Sequence, residues 1–366
     1  MEWFDAIVVG AGPAGSATAI RLARGGATVL LADQARFPRD KPCGGGLTGR
    51  AVRELPVDVT PVVEDVVHSF EVRLRYRKRF ERRSDVPLVL MTQRRRLDAF
   101  LVEQAAAAGA VFRDGVTTEG LAVGPDGATL RIGGTPVQGR VLVGADGVNG
   151  RVARAAGLGG GTLYGIALEG NGPLLDGQAG RATIELGVVP GGYGWVFPKD
   201  GHANYGVGGW AAEGPRLRAH LRRLCVEHGI DDAKLTDLHG RRLPIRRTTG
   251  VSRGPVLLVG DAAGLVDPLS GDGIYEALLS ARLAAAAILS GRLDEYDARL
   301  RATLGRFADT SWKAKLVLDR HPRAAFEIAR MPAVWNVIAG LLTGDIVHPS
   351  EARGLARPPL RLLARL

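Results

Sequence analysis

The chain has 366 residues and a mass of 38.6 kDa, long enough for two or three domains with a sizeable buried core. Hydrophobic residues make up 46%, charged residues 23% and the mean hydropathy is +0.04, which argues against a disordered chain and against an integral membrane protein. Lys and Arg number 48 against 38 Asp and Glu, a formal charge of +10 that suits an anionic partner such as a dinucleotide or an acidic lipid surface. No basic, aromatic-interleaved motif points to nucleic acid.

Two cysteines, Cys43 and Cys225, are too few for a disulfide scaffold or a cysteine-built metal centre, so no metal site is expected. The start, Met1-Glu2-Trp3-Phe4-Asp5, carries acid where a secretory leader carries base, and the expected location is cytoplasmic.

Residues 4–9, Phe-Asp-Ala-Ile-Val-Val, predict a buried strand, Ala17, Ile20, Leu22 and Ala23 a helix, and Thr28 to Leu31 a second strand, a βαβ unit. Between strand and helix runs Gly10-Ala11-Gly12-Pro13-Ala14-Gly15, with Asp33 at the end of the second strand, eighteen residues beyond Gly15. This is a dinucleotide-binding fingerprint of the Rossmann type. Gly10 permits the tight turn, Gly12 lets backbone approach a pyrophosphate, and Gly15 lets helix pack on strand. The helix opens at Pro13, and from Ala14 onward its first turn offers unpaired N–H groups, while Asp33 can accept from a ribose diol. The fingerprint alone does not choose NAD over FAD.

In residues 66–91 the pattern changes. Val72, Leu74 and Tyr76 alternate with Arg73, Arg75 and Arg77, which predicts a half-buried strand with one strongly basic face and the start of a separate sheet. Leu97, Phe100, Leu101 and Ala105 recur at helical spacing, and Val141-Leu142-Val143 reads as a buried strand. Short strands punctuated by glycine fill 162–211, and a helix is predicted around Leu217 to Val226. Val256 to Val259 is a last buried strand, followed by long Ala/Leu-rich helical patterns. The most apolar of these, Ile274 to Leu289, is interrupted by Glu276 and Arg282, short of the roughly 20 clean residues of a spanning helix.

Two strand-end loops select the flavin dinucleotide. Val259-Gly260-Asp261-Ala262-Ala263 leads into Pro268-Leu269-Ser270-Gly271-Asp272-Gly273-Ile274. An acid there suits a ribityl chain, and a helix N-terminus suits the charge that develops on a reduced flavin. The other loop, Gly144 to Arg151, contains Asp146-Gly147. The order of the three loops resembles FAD-dependent proteins of the para-hydroxybenzoate hydroxylase group. Arg94-Arg95-Arg96-Leu97-Asp98 is similar to that group's R-x-x-F-D helix opening, whose first arginine contacts FAD, with Leu97 replacing phenylalanine. Arg94 reads equally as that contact or as a solvated basic helix start.

Two segments narrow the resemblance to the geranylgeranyl reductase family. Lys41-Pro42-Cys43-Gly44-Gly45-Gly46-Leu47 resembles its K-x-C-G-G-G segment. Pro190-Gly191-Gly192-Tyr193-Gly194-Trp195-Val196-Phe197-Pro198 satisfies its P-x-x-Y-x-W-x-F-P motif at every fixed position. Tyr193, Trp195 and Phe197 share one face of a strand, either as the aromatic wall of an apolar cavity or as sheet core. The resemblance implies an α/β fold with three parts. A discontinuous Rossmann-like FAD-binding domain spans 1–68, 94–160 and 245–310, an inserted antiparallel β-sheet substrate domain spans 69–93 and 161–244, and a helical C-terminal segment spans 311–366.

It further implies noncovalent FAD, held by Gly10, Gly12, Pro13, Ala14, Gly15, Asp33, Gly44, Gly45, Arg94, Asp146, Gly260, Asp261, Pro268, Gly271, Gly273 and Ile274. The flavin would be reduced by NAD(P)H or another external donor. Cys43, Tyr193 and Trp195 are the implied catalytic residues, the substrate is an isoprenoid chain, and the reaction saturates its double bonds. Asp33 stands where glutamate is more common in the family. The tail's Arg353, Arg357, Arg361 and Arg365 among leucines either fray from a docked helix or lie on the anionic inner face of a membrane.

A rival reading is a flavin monooxygenase or halogenase acting on an aromatic or natural-product substrate. Halogenases carry W-x-W-x-I-P, and here Tyr193 and Phe197 stand at the first tryptophan and the isoleucine, in a chain with six lysines.

Overall fold

A computed structural model describes residues 1–124, 126–247, 249–346, 348, 351, 354–356 and 358. Ala6 to Val9 on the first strand (Glu2–Val9) and all of Val29–Ala32 are buried, as parallel strands covered on both faces must be. These strands sit at the centre of an eight-stranded sheet, in the order Ser252–Arg253, Val256–Leu258, Thr135–Gly144, Glu2–Val9, Val29–Ala32, Val111–Arg113, with the hairpin Thr118–Gly124 and Gly127–Ile132 extending from Thr135–Gly144. Helices Pro13–Arg24, Arg94–Ala107 and Ile274–Leu289 pack together over it. Leu97, the departure from R-x-x-F-D, is fully buried among them.

A seven-stranded sheet takes its strands from two separated stretches of chain, in the order Thr236–Arg247, Thr162–Pro173, His202–Trp210, Tyr193–Pro198, Arg181–Leu186, Ser69–Leu74, Lys78–Arg83. All neighbours are antiparallel except Arg181–Leu186 with Ser69–Leu74. The helix Leu217–Glu227 covers one face, its Leu217, Leu221 and Leu224 packing with Val196, Tyr205 and Val207. The alternation along Tyr193–Pro198 therefore turns Tyr193, Trp195 and Phe197 to the opposite face.

The predicted basic strand face is corrected by the structure. The strand ends at Leu74, and Arg75 and Tyr76 form a hairpin turn with φ of 50° and 61°. Arg73 is not solvated but pairs at 2.9 Å with the fully buried Glu185. The sheet also extends to Arg247, three residues past the predicted limit at 244.

At the far end of the chain, Tyr296–Arg320 leads into Pro322–Ala329 and Pro332–Thr343. Phe326 packs on Phe80, and Trp335 on Phe70, with ring centroids 5.2 and 6.1 Å apart, so these helices dock on the last strands of the second sheet. Among the described residues no single helix is long and apolar enough to cross a membrane. Arg353, Arg357, Arg361 and Arg365 lie outside the described residues.

Candidate active site

The glycine loop divides into packing and cradle positions. Gly10 has φ of +103°, and a Cβ there would lie 2.3 Å from the Ala145 carbonyl oxygen; at Gly15 it would lie 1.8 Å from that of Gly10. Both are required for the strand, loop and helix to touch. Gly12 is different. Its backbone is extended, and a Cβ would meet only the guanidinium nitrogens of Arg94 and Arg39, at 3.5 and 3.6 Å.

Pro13 opens the helix, leaving the next N–H groups without intrahelical acceptors, so a helix N-terminus and two guanidiniums converge on one point. The fully buried Asp98 holds both arginines: Arg94 donates to it at 2.8 and 2.7 Å and Arg39 lies 2.7 Å away. Arg94 is 4% exposed, which excludes the solvated helix start. This cradle fits a dinucleotide pyrophosphate.

Two acids of the sequence reading have structural duties. Asp33 accepts from the Ala11 and Ala35 N–H groups at 2.7 and 2.8 Å and ties the second strand to the glycine loop. Asp146 caps the short helix Val152–Ala155, accepting from Arg151 N at 2.6 Å and Val152 N at 3.0 Å. Its Oδ1 is buried without a partner, and burial raises its carboxyl above the usual range. Its neighbours Ala145 and Gly147 line the cavity described next. Gly260, with φ of +56°, packs against Ala14 and Ala277 beneath the cavity.

A cavity of about 280 Å³ lies between the two sheets. Gly12, Pro13, Ala14 and Arg94 form one end, and Asp261, Pro268, Gly271, Gly273 and Ile274 a second side. Cys43, Gly44 and Gly45 line the rest together with Tyr193, Trp195 and Phe197, with Gly44 against the Phe197 ring. The aromatic rings follow one another at 5.9 and 6.2 Å along the cavity, while Tyr193 and Phe197 also pack against the cluster of Val72, Phe80 and Trp335. Their polar tips are engaged by protein: Trp195 Nε1 donates to Asn204 at 2.8 Å and the Tyr193 hydroxyl donates to the Ser270 carbonyl. Trp195 lies over its cross-strand partner Gly206, where a Cβ would come within 2.1 Å of the ring. Gly44 and Gly45 have a protein reason to be glycine: a Cβ would stand 2.8 Å from the Phe197 ring and 1.9 Å from the Thr92 carbonyl oxygen, respectively. Cys43 carries a free thiol whose Sγ accepts from Gly45 N at 3.4 Å.

The charges around this wall were largely missed in the sequence. Asp261 accepts from Arg241 Nη2, with Lys41 Nζ 3.8 Å away. Burial acts to raise its carboxyl, but Arg241 and Lys41 hold it below the usual range. Arg241 has no motif around it. Lys199, 3% exposed, donates to the Gly44 carbonyl at 2.7 Å, and burial lowers its ammonium to about 8. Glu169, 7% exposed, accepts the Cys43 N–H, and burial pushes it up to about 7. Its only sequence signal is a single acid in the run Ile166-Ala167-Leu168-Glu169-Gly170.

The chain is similar to known proteins over most of its length. The FAD binding domain family matches residues 4–166. A menaquinone reductase of Mycolicibacterium smegmatis is 30% identical over 96% of this chain and 94% of its own length. Digeranylgeranylglycerophospholipid reductase 2 of Methanothermobacter thermautotrophicus is 30% identical over 86% of this chain and 88% of its own.

The crystal structure of a geranylgeranyl bacteriochlorophyll reductase-like protein from Thermoplasma acidophilum superposes with a TM-score of 0.80, at 24% identity, over 99% of this chain and 96% of that one. The flavin-dependent brominase Bmp2 shares the fold with a TM-score of 0.77 at 18% identity, over 99% and 98% of the two chains. Fold, cradle and family match define an FAD-dependent oxidoreductase. Within that class the chain belongs to the geranylgeranyl reductase family.

Proposed function

We propose that the protein saturates carbon–carbon double bonds of an isoprenoid chain. The observation that carries this reading is the cavity lined by Tyr193, Trp195 and Phe197 and by the Cys43 segment, continuous with the Gly12 cradle. An apolar chain laid along three rings gains roughly 25 cal/mol for each square ångström removed from water. The relatives named for menaquinone and for digeranylgeranylglycerophospholipid support it, since both molecules carry isoprenoid chains on unlike head groups.

In this reading the parallel sheet and its helices hold FAD and the seven-stranded sheet holds substrate. Gly12, Pro13, Ala14 and Arg94 bind the pyrophosphate, Asp33 the ribose, and the Asp261 and Pro268–Ile274 region the ribityl and ring portion. Bound FAD, reduced by an external two-electron donor such as NAD(P)H, supplies the hydride. The aromatic wall orients the alkene and keeps water away, and Cys43 shapes the cavity floor.

The monooxygenase or halogenase reading retains one specific support. Lys315, 6% exposed, lines the same cavity, although it donates to the Gly191 carbonyl and lies 4.4 Å over the Trp210 ring. Anaerobic stopped-flow mixing of reduced holoenzyme with geranylgeranyl diphosphate separates the two. Isoprenoid-dependent reoxidation is expected. Faster reoxidation with oxygen and aromatic substrates than with any isoprenoid would transfer the protein to the other reading.

A further inference from the structure

Saturating an alkene takes a proton as well as a hydride, and the aromatic strand carries no acid. The strand Thr162–Pro173 does carry one. Its alternate residues Gly165, Ala167 and Glu169 all line the cavity, two without bulk and the third with a carboxyl. Glu169 is fixed at its Oε1 by the Cys43 N–H, which places the acid beside the segment that packs on the aromatic strand through Gly44 and Phe197. Its cross-strand neighbour on Thr236–Arg247 is His239, which lines the same cavity and is exposed to solvent.

We propose that Glu169 is the proton donor in isoprenoid reduction and that His239 connects it to solvent. This rests on the reductase reading above. One alkene carbon gains a hydride from the reduced flavin, which is thereby oxidised. The other carbon forms a C–H bond with the Glu169 proton as the carboxyl O–H bond breaks. The resulting carboxylate is reprotonated from solvent through His239, and the external two-electron donor restores the reduced flavin.

The surroundings suit both states of the acid. Burial, the largest influence, favours the neutral carboxyl, and Asp40 on the loop before Cys43 acts in the same direction. Arg241 from the adjacent strand, Lys199 from the end of the aromatic strand and the Cys43 N–H favour the carboxylate. The balance at about 7 is where a general acid is most useful near neutral pH. The same three groups receive the negative charge once the proton has left. Cys43 contributes to this balance through its backbone N–H.

The test uses holoenzyme, reduced anaerobically and mixed with geranylgeranyl diphosphate across pH 6 to 9, for wild type and Glu169→Gln. Gln retains an oxygen for the Cys43 N–H. Wild-type reoxidation is expected to fall above pH about 7. Glu169→Gln should hold FAD, reoxidise about 100-fold or more slowly and show no break near 7. Infrared difference spectra of the resting proteins, wild type minus Glu169→Gln, should show a neutral-carboxyl carbonyl band that vanishes as pH rises through about 7.

A Glu169→Gln rate within about threefold of wild type, or no such band at pH 6, overturns the proposal and leaves the reductase reading standing. Should Glu169→Gln fail to fold or hold FAD, the wild-type profile decides, and a rate flat from pH 6 to 9 overturns the assignment. A wild type that isoprenoid does not reoxidise removes the reductase reading and this role together.

Discussion

At single residues, the structure separates glycines that packing requires, Gly10 and Gly15, from Gly12, where a side chain has room. Gly12→Val should fold, since a Cβ at Gly12 meets only guanidinium nitrogens at ordinary contact distance. It should nevertheless lose FAD, because its side chain occupies the cradle. Gly15→Ala drives a Cβ into the Gly10 carbonyl and should lower stability by more than the ordinary helix preference of alanine can offset. Flavin absorbance and urea unfolding on both variants check this, and full FAD content in Gly12→Val would remove the pyrophosphate assignment.

Glu169 makes a second prediction at this scale. Its carboxyl titrates near 7 in the folded chain against an ordinary 4.5, so the unfolded state ionises first as pH rises. Stability associated with the neutral carboxyl is intact below about 4.5 and is lost progressively up to about 7. Glu169→Gln removes that loss. The variant should therefore gain on wild type by about 3 kcal/mol between pH 4 and pH 8 in apoprotein urea melts, from the 1.36 kcal/mol per pH unit of linkage. An unchanged difference between the two pH values would show that the acid is not buried in its charged form.

On the scale of elements, the strand Tyr193–Pro198 serves two environments by its two-residue period. Val196 packs under the helix Leu217–Glu227, while Trp195 faces the cavity over Gly206. Trp195→Ala leaves the Gly12 cradle and the Asp261 loop untouched, so FAD content and reduction by the donor should survive. If roughly 40–80 Å² of substrate contact is lost, binding weakens by about 1–2 kcal/mol. The loss should grow with isoprenoid length, measured as the concentration dependence of reoxidation with geranyl, farnesyl and geranylgeranyl diphosphates. Equal losses for all three would make the ring a sheet support with no substrate contact. Asp261 belongs to this scale too. Its ion pair with Arg241 joins the parallel sheet's loop to the second sheet, so the carboxylate holds the two sheets in register beside the cavity.

Across the whole molecule, the helices after Arg320 complete the second sheet. Phe326 is 1% exposed against Phe80, and Leu342 reaches the cavity wall. Phe326→Ala should cost about 3–5 kcal/mol in urea unfolding, as removal of a fully buried aromatic does. A cost under about 1 kcal/mol would mean that these helices are not part of the cooperative core.

What the sequence determined by itself was whatever is written in neighbouring residues: the Gly10–Gly15 turn between strand and helix, the period-2 face of Tyr193, Trp195 and Phe197, the strand-end Asp261. Local sterics and backbone periodicity act over a few residues, so their traces are continuous in the chain. The tertiary structure alone decided the electrostatics. Glu169 meets Cys43 across 126 positions, and Arg241 meets Asp261 only because two sheets pack together. It also turned the supposed basic face into a hairpin with Arg73 paired to the buried Glu185, and decided between the two readings of Arg94 by burying it in an ion pair with Asp98. A charge reads the same in sequence whether it meets water or a partner, and only burial and the partner's distance decide its pKa and its role.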